Sequence, residues 1–190
     1  MTLVPMSSVD RSGLRWLRDR DHPDAFSLLS GDGTVATLEW PMKGASLATV
    51  KTASSEWTLK RGGFLNPHIS LRSAGVVVAR LSVHFNYHQI DIVGGGSYRF
   101  HRAGILVPAW RVSSRDGKEV LHVEPVREGR HLSAGAVVVS PDAVELPELL
   151  LLLVLSWYFI VLAWFEDETV EALTPLEGPD PPETFSSERA

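Results

Sequence analysis

LLLLLVLSWYFIVLAWF, residues 149 to 165, decides how the rest of the chain is read. Ser156 is its only aliphatic polar residue, and as a helix these seventeen residues extend ~25 Å at ~1.5 Å per residue. Such a helix is apolar on every side, so it belongs either in a protein core or in a membrane. Its length lies at the lower edge of the ~17 to 25 residues that span a bilayer and does not separate the two. Trp157 and Tyr158 stand in the middle of the run, whereas membrane helices carry Trp and Tyr at their interfaces. That favours a helix buried in protein, where the indole N–H and phenol O–H could find partners among inward-facing polar groups. A tail anchor that leaves the Lys and Arg residues on the retained side is the alternative. The helix is expected over about 147–166, with Pro147 in its first turn and Asp142 and Glu145 as an acidic lead-in. Leu149, Leu153, Trp157, Ile160 and Trp164 are its expected packing positions.

The chain before this run holds only short alternations, each too brief for a buried helix. They begin at Phe26, Thr34, Ala45, Glu56, His68, Val76, Gln89, Ser97, Ala109, Glu119 and Ala134, and Gly, Asp-Gly and Asn-Pro turns separate them at hairpin spacings. WTLKRGGFLNPHISLRSA from Trp57 aligns without a gap on YRFHRAGILVPAWRVSSR from Tyr98, an offset of 41 residues. Identities fall at Arg61 and Arg102, Gly63 and Gly104, Leu65 and Leu106, Pro67 and Pro108, and Ser73 and Ser114. A weaker third copy, SLLSGDGTVATL from Ser27, matches SLRSAGVVVARL and RVSSRDGKEVLH. The count of eleven or twelve strands predicts a mainly β fold, an antiparallel barrel of about twelve strands. A β-trefoil is the alternative, although it gives the apolar helix no place. A barrel that wide is not filled by its own side chains. The helix would plug it.

At 190 residues and 44% hydrophobic content the chain is one core-forming domain. The absence of Cys removes disulfides, thiol nucleophiles and thiolate metal sites, and fits a reducing compartment. Residues 1–23 are expected to be a leader, with four arginines, no apolar run behind them and a short amphipathic helix around Leu14 to Leu17. A cytoplasmic location is the expectation. The net charge of −5 is uneven: residues 166 to 190 hold eight acids against Arg189, whereas residues 1 to 165 hold fifteen acids and seventeen Lys or Arg. Residues 169–190, acidic and rich in Pro, read as a disordered tail, most clearly from about Thr174.

Catalytic and metal patterns give little. His84 and His88 have H-x-x-x-H spacing, but Asn86 and Tyr87 mark a turn between strands, and without a helix that spacing loses its meaning. Gly94 to Gly96 precedes another strand rather than a helix, so it reads as a hairpin connection and not a phosphate loop. Asp91, Asp116, Glu119 and Glu124 read as solvated acids, and no G-x-S-x-G turn is present. An enzyme is not expected, nor a cofactor or metal. With a net charge of only +2 and no basic block, residues 1 to 165 do not suggest nucleic acid as a partner.

WTLKRGG at Trp57, WRVSSRDGK at Trp110 and the closing PELLLLLVLSWYFIVLAWF from Pro147 together resemble the tubby-like C-terminal superfamily, which includes LURP-one-related proteins and phospholipid scramblases. The resemblance covers roughly residues 24–168. It implies a twelve-stranded barrel around a hydrophobic C-terminal helix and a binding or scaffold role, with phospholipid head groups, a membrane surface or another protein as partner. Lys60, Arg61, Arg99 and Arg102 are the basic residues that the repeat brings to comparable places, and they form the candidate anionic-ligand patch.

Overall fold

The computed structural model describes residues 2–31, 33–63, 66–85, 87–103, 109–129 and 131–173, with side chains to Phe165. Twelve strands follow in chain order: β1 (Leu14–Arg18), β2 (Ala25–Ser30), β3 (Gly33–Glu39), β4 (Leu47–Thr52), β5 (Glu56–Gly62), β6 (His68–Ser73), β7 (Val76–Val83), β8 (His88–Ile92), β9 (Ser97–Ala103), β10 (Ala109–Ser114), β11 (Glu119–Glu128) and β12 (His131–Val139). Each pairs antiparallel with the next, and β1 pairs with β12 to close the ring. All twelve strands lie in one barrel, so the trefoil alternative does not hold. Each of the eleven apolar alternations contributes one of β2 to β12.

The twelfth strand comes from the expected leader. Leu14 and Trp16 are buried while Arg15 and Leu17 are exposed, a period of two in place of the short amphipathic helix expected around Leu14 to Leu17. The barrel therefore begins at Leu14 rather than near residue 24. The segment before it is also anchored, because the Val4 N–H donates to the Thr34 carbonyl and the Ser30 hydroxyl to that of Asp10.

The repeat has a physical counterpart in the ring. Its copies start on β2, β6 and β10, four strands apart in a ring of twelve, which makes the repeat approximately three-fold. In each copy the register slips at the same aligned place, between Leu28 and Leu29, Leu71 and Arg72, and Val112 and Ser113. Such bulges bend the strand and increase its twist, as closing a sheet on itself requires. The β6–β7 turn is tight enough that Ala74 and Gly75 both take positive φ, +47° and +81°.

The apolar run forms α1 (Leu149–Leu173), preceded by a 3-10 turn at Pro141–Ala143. The helical backbone passes the expected end near 166 because residues 166–173 contain no Gly or Pro and are dominated by good helix formers. The tail expected from 169 thus starts no earlier than 174, and residues 174–190 lie outside the described residues. Leu149, Leu153, Trp157 and Ile160 are buried and Trp164 is half-buried. Trp157 stacks on Trp16 of β1 at 5.6 Å and meets Phe26 of β2 edge-on at 5.4 Å. Tyr158 stacks on Trp40 at 5.4 Å, just beyond β3, and Phe159 meets Phe100 of β9 and Trp110 of β10. Contacts therefore reach α1 from well-separated parts of the ring. The phenol of Tyr158 donates to the Ser46 carbonyl at 2.6 Å, as anticipated for a buried hydroxyl. The Trp157 indole N–H, contrary to expectation, has no acceptor among the described residues.

At Gly135 on β12 the wall lies close against this helix. A Cβ there would stand 2.3 Å from a Trp157 ring carbon, too close for any side chain without movement of the stacked ring. Gly135→Ala is predicted to destabilise the fold by ~1–3 kcal/mol, as overpacked cores do. Urea titration should show Gly135→Ala costing less in a Trp157→Phe background, since the two sites share one contact.

Candidate functional site

Because the strands alternate direction, the odd-numbered ones all finish at one end of the barrel. The described parts of the rim there are 40–46 after β3, 63, 66 and 67 after β5, 84, 85 and 87 after β7, and the ends of β1, β9 and β11. Among the described residues six members of this rim are apolar or aromatic and exposed: Phe85 completely, Met42 at 66%, Leu17, Leu47 and Val126 at somewhat under half, and Tyr87 at 37%. Exposed single hydrophobics are common on protein surfaces, and these are spread around the ring, on the β1, β3–β4, β7–β8 and β11 parts of one end, as separate apolar tips. Lys60, Arg61 and Arg102 project at the same end. Lys43 lies 5.6 Å from the Phe165 ring, and Arg127 lies 4.0 Å from the Trp164 ring.

The four residues of the expected patch do not form one cluster. Arg61 shares the inward parity of Leu59, Arg102 that of Phe100, and both are exposed where their strands reach the mouth. Lys60 and Arg99 have the opposite parity and face outward. β5 and β9 lie a third of the ring apart, so the repeat relates these residues by rotation without bringing them together. Arg99 sits over the Tyr87 ring at 5.6 Å and in a polar cleft of about 370 Å³ with Gln89, Asp91, Ser97 and Arg115.

Arg61 is tied to the helix. Its backbone N–H donates to the Ser46 carbonyl that Tyr158 also uses, and burial pushes the Tyr158 phenol up to about 12 despite the opposing Arg61 backbone and charge. Beside it a cavity of about 130 Å³ opens between α1 and the wall, lined by Ile69, Val83, Phe159 and Leu162, with Arg61 and His68 as polar members.

Most of the remaining candidates are turn and surface groups, whereas His88, on β8, is half-buried against Phe159. His84 and His88 flank the β7–β8 connection, where the His84 N–H donates to the Tyr87 carbonyl, and no group of metal-ligating side chains occurs among the described residues. Gly94 to Gly96 connects β8 to β9. The acids are engaged: Asp91 accepts from Gln89 and Ser97, Asp116 from Ser114, and Glu119 lies against Arg111 and His122, with Glu124 3.7 Å from the same imidazole. Glu148, just before α1, accepts from the Tyr98 phenol at 2.8 Å and the Gly96 N–H at 3.2 Å. Burial alone would raise the Glu148 carboxyl, but these hydrogen bonds outweigh it and hold the group below its ordinary range.

No family model, characterised protein or solved structure matches the chain. The site is therefore read from its own geometry. Sequence reasoning missed Phe85, Met42, Lys43 and Arg127, whose only signal is their position at strand ends that share one side of a meander.

His88 provides a pH test of the rim. Its ring packs 4.4 Å from Phe159, and burial, helped by nearby His84, lowers its pKa to about 4. The unfolded chain binds the His88 proton near the ordinary value of ~6.5 while the folded one resists it. Stability should therefore fall as pH drops from about 6.5 towards 4, and His88→Phe should flatten that part of the profile in denaturant titrations.

Proposed function

We propose that the protein is a non-enzymatic binding module of the tubby-like kind, with α1 as the central plug of the barrel and the rim resting on an anionic phospholipid surface. The observation that carries this reading is the fully exposed Phe85, with Met42, Leu47 and Val126, among the cations Lys60, Arg61 and Arg102 at one end of the barrel. Apolar tips enter the interface between head groups and acyl chains, and each nearby cation adds ~1 kcal/mol on a negatively charged leaflet. The eight acids of residues 166 to 190 oppose this attraction, so apolar insertion contributes much of the affinity.

Burial of a Phe side chain is worth ~1.5–3 kcal/mol, which corresponds to roughly tenfold or more in affinity. Co-sedimentation with phosphatidylserine vesicles should show binding that weakens as salt rises, about tenfold weaker binding for Phe85→Asp, and stronger binding for a chain ending at Leu173. A full-length protein that ignores such vesicles at low salt would overturn the reading.

The plug makes its own prediction. Among the described residues no helix is long and apolar enough to cross a membrane, and Leu153 is completely buried. Leu153→Arg places an uncompensated charge there, at a cost of ~3–5 kcal/mol, and should abolish the cooperative thermal transition. A soluble Leu153→Arg protein with an unchanged melting temperature would instead favour a tail anchor.

A further inference from the structure

The opposite end of the barrel, where α1 begins, contains a larger cavity that the membrane reading does not use. It has a volume of about 450 Å³, within the ~300–1,000 Å³ of small-molecule pockets. Met6, Val35, Trp57, Leu146 and Leu150 provide most of its apolar lining; Arg11 is its cation, and Glu145, at the edge with its side chain turned to solvent, is its acid.

Arg11 is poorly partnered for a residue whose side chain is only 15% exposed. Its Nη1 is buried with no hydrogen-bond partner among the described residues, and its Nε donates a long 3.4 Å bond to the Met6 carbonyl. The nearest acid, Glu145, stands 3.9 Å away with its side chain 92% exposed, so water screens most of that attraction. Burying a guanidinium without full pairing is costly, and an anion in the adjoining cavity would remove the cost. The start of α1 adds to the demand. The Leu149 and Leu152 N–H groups donate to the Leu146 and Glu148 carbonyls, whereas those of Leu150 and Leu151 donate to no backbone carbonyl among the described residues. Both residues line the cavity.

We infer that this cavity binds a small amphipathic carboxylate of the medium-chain fatty acid class, its head group paired with Arg11 and its chain laid along Trp57 and the first turn of α1. A carboxylate fits the planar fork of a guanidinium in bidentate geometry, and the apolar lining suits an alkyl chain. The site is separate from the rim and independent of what the rim binds.

The test uses the full-length protein with decanoate below its micellar concentration, decanol as the uncharged analogue and inorganic phosphate as the anion without a chain. Calorimetric titration and thermal melting should show that decanoate binds and raises the melting temperature, that decanol binds at least tenfold more weakly, and that phosphate alone gives no shift. Arg11→Gln should abolish the preference for decanoate over decanol while leaving weak decanol binding, which verifies that the cavity is still formed. Ser54→Trp, at an exposed position in the lining, should weaken both ligands while Arg11 stays in place. Equal binding of decanoate and decanol to the wild-type protein, no decanoate binding at millimolar concentration, or an undiminished decanoate preference in Arg11→Gln would each overturn the inference.

Discussion

Twelve antiparallel strands closed in a ring enclose more space than their own side chains fill, and this constraint governs the molecule. The wall answers unevenly. Trp16, Phe26 and Phe100 are bulky on the buried side of the strands, whereas Ala36, Ala48, Ala79 and Gly135 are small. The approximately three-fold repeat would present three similar surfaces, but the side chains of α1 have no such symmetry. Equivalent inward positions therefore diverge while the bulges persist: Leu59 corresponds to Phe100 and the half-buried Trp57 to Tyr98, yet each copy keeps its register slip at the same place. Bulges serve closure, which is common to the whole ring. Side chains serve the local gap to the helix.

The same constraint explains the unpaired polar atoms of the interior. Trp16, Trp40 and Trp157 each bury an indole nitrogen, and Ser156 a hydroxyl, with no partner among the described residues. A buried unsatisfied group costs ~1–3 kcal/mol. Burying the ~150–250 Å² of an aromatic ring at ~25 cal/mol per Å² gains ~4–6 kcal/mol, and stacking adds ~0.5–1.5 kcal/mol. Packing outweighs pairing, so the Trp16 and Trp157 rings lie within 3° of parallel and the indole N–H groups go without acceptors. Tyr158 achieves both, because its ring stacks on Trp40 while its hydroxyl reaches Ser46.

Much of this was legible from one sequence because alternation with a period of two and punctuation by turns are local signals. All eleven apolar alternations became strands, and Gly94 to Gly96 connects β8 to β9 as its residues suggest, while the His84 N–H reaches the Tyr87 carbonyl between β7 and β8. β1 escaped because five residues with two arginines fit either period, and only pairing with β12 and β2, distant in sequence, selects the strand. The basic residues are grouped by the repeat without their spatial arrangement, for the complementary reason. An alignment of repeats shows which residues are equivalent, and in a closed ring equivalence means rotation by a third of a turn. Arg61 and Arg102 are equivalent and apart, whereas Phe85, Met42 and Arg61 are unrelated in sequence and share an end. Arg11 was hidden too, since its burial depends on a segment that reads as a polar leader and is fastened by the Val4 and Ser30 hydrogen bonds.

The cations at the two ends of the barrel are in different states, and that difference separates their roles. At the rim, Lys43 and Arg127 lie against the Phe165 and Trp164 rings, and Arg61 and Arg102 are exposed to solvent. Hydrated or ring-bound cations gain little from one small anion, but an extended charged surface engages several at once. At the start of α1 a single guanidinium is withdrawn from water, lacks a full complement of acceptors and adjoins unpaired N–H groups of a helix start. Desolvation strengthens each interaction there, so one well-placed carboxylate is worth more than several at the rim. An open end with many weak contacts suits a surface, and a recessed end with one strong contact suits a molecule.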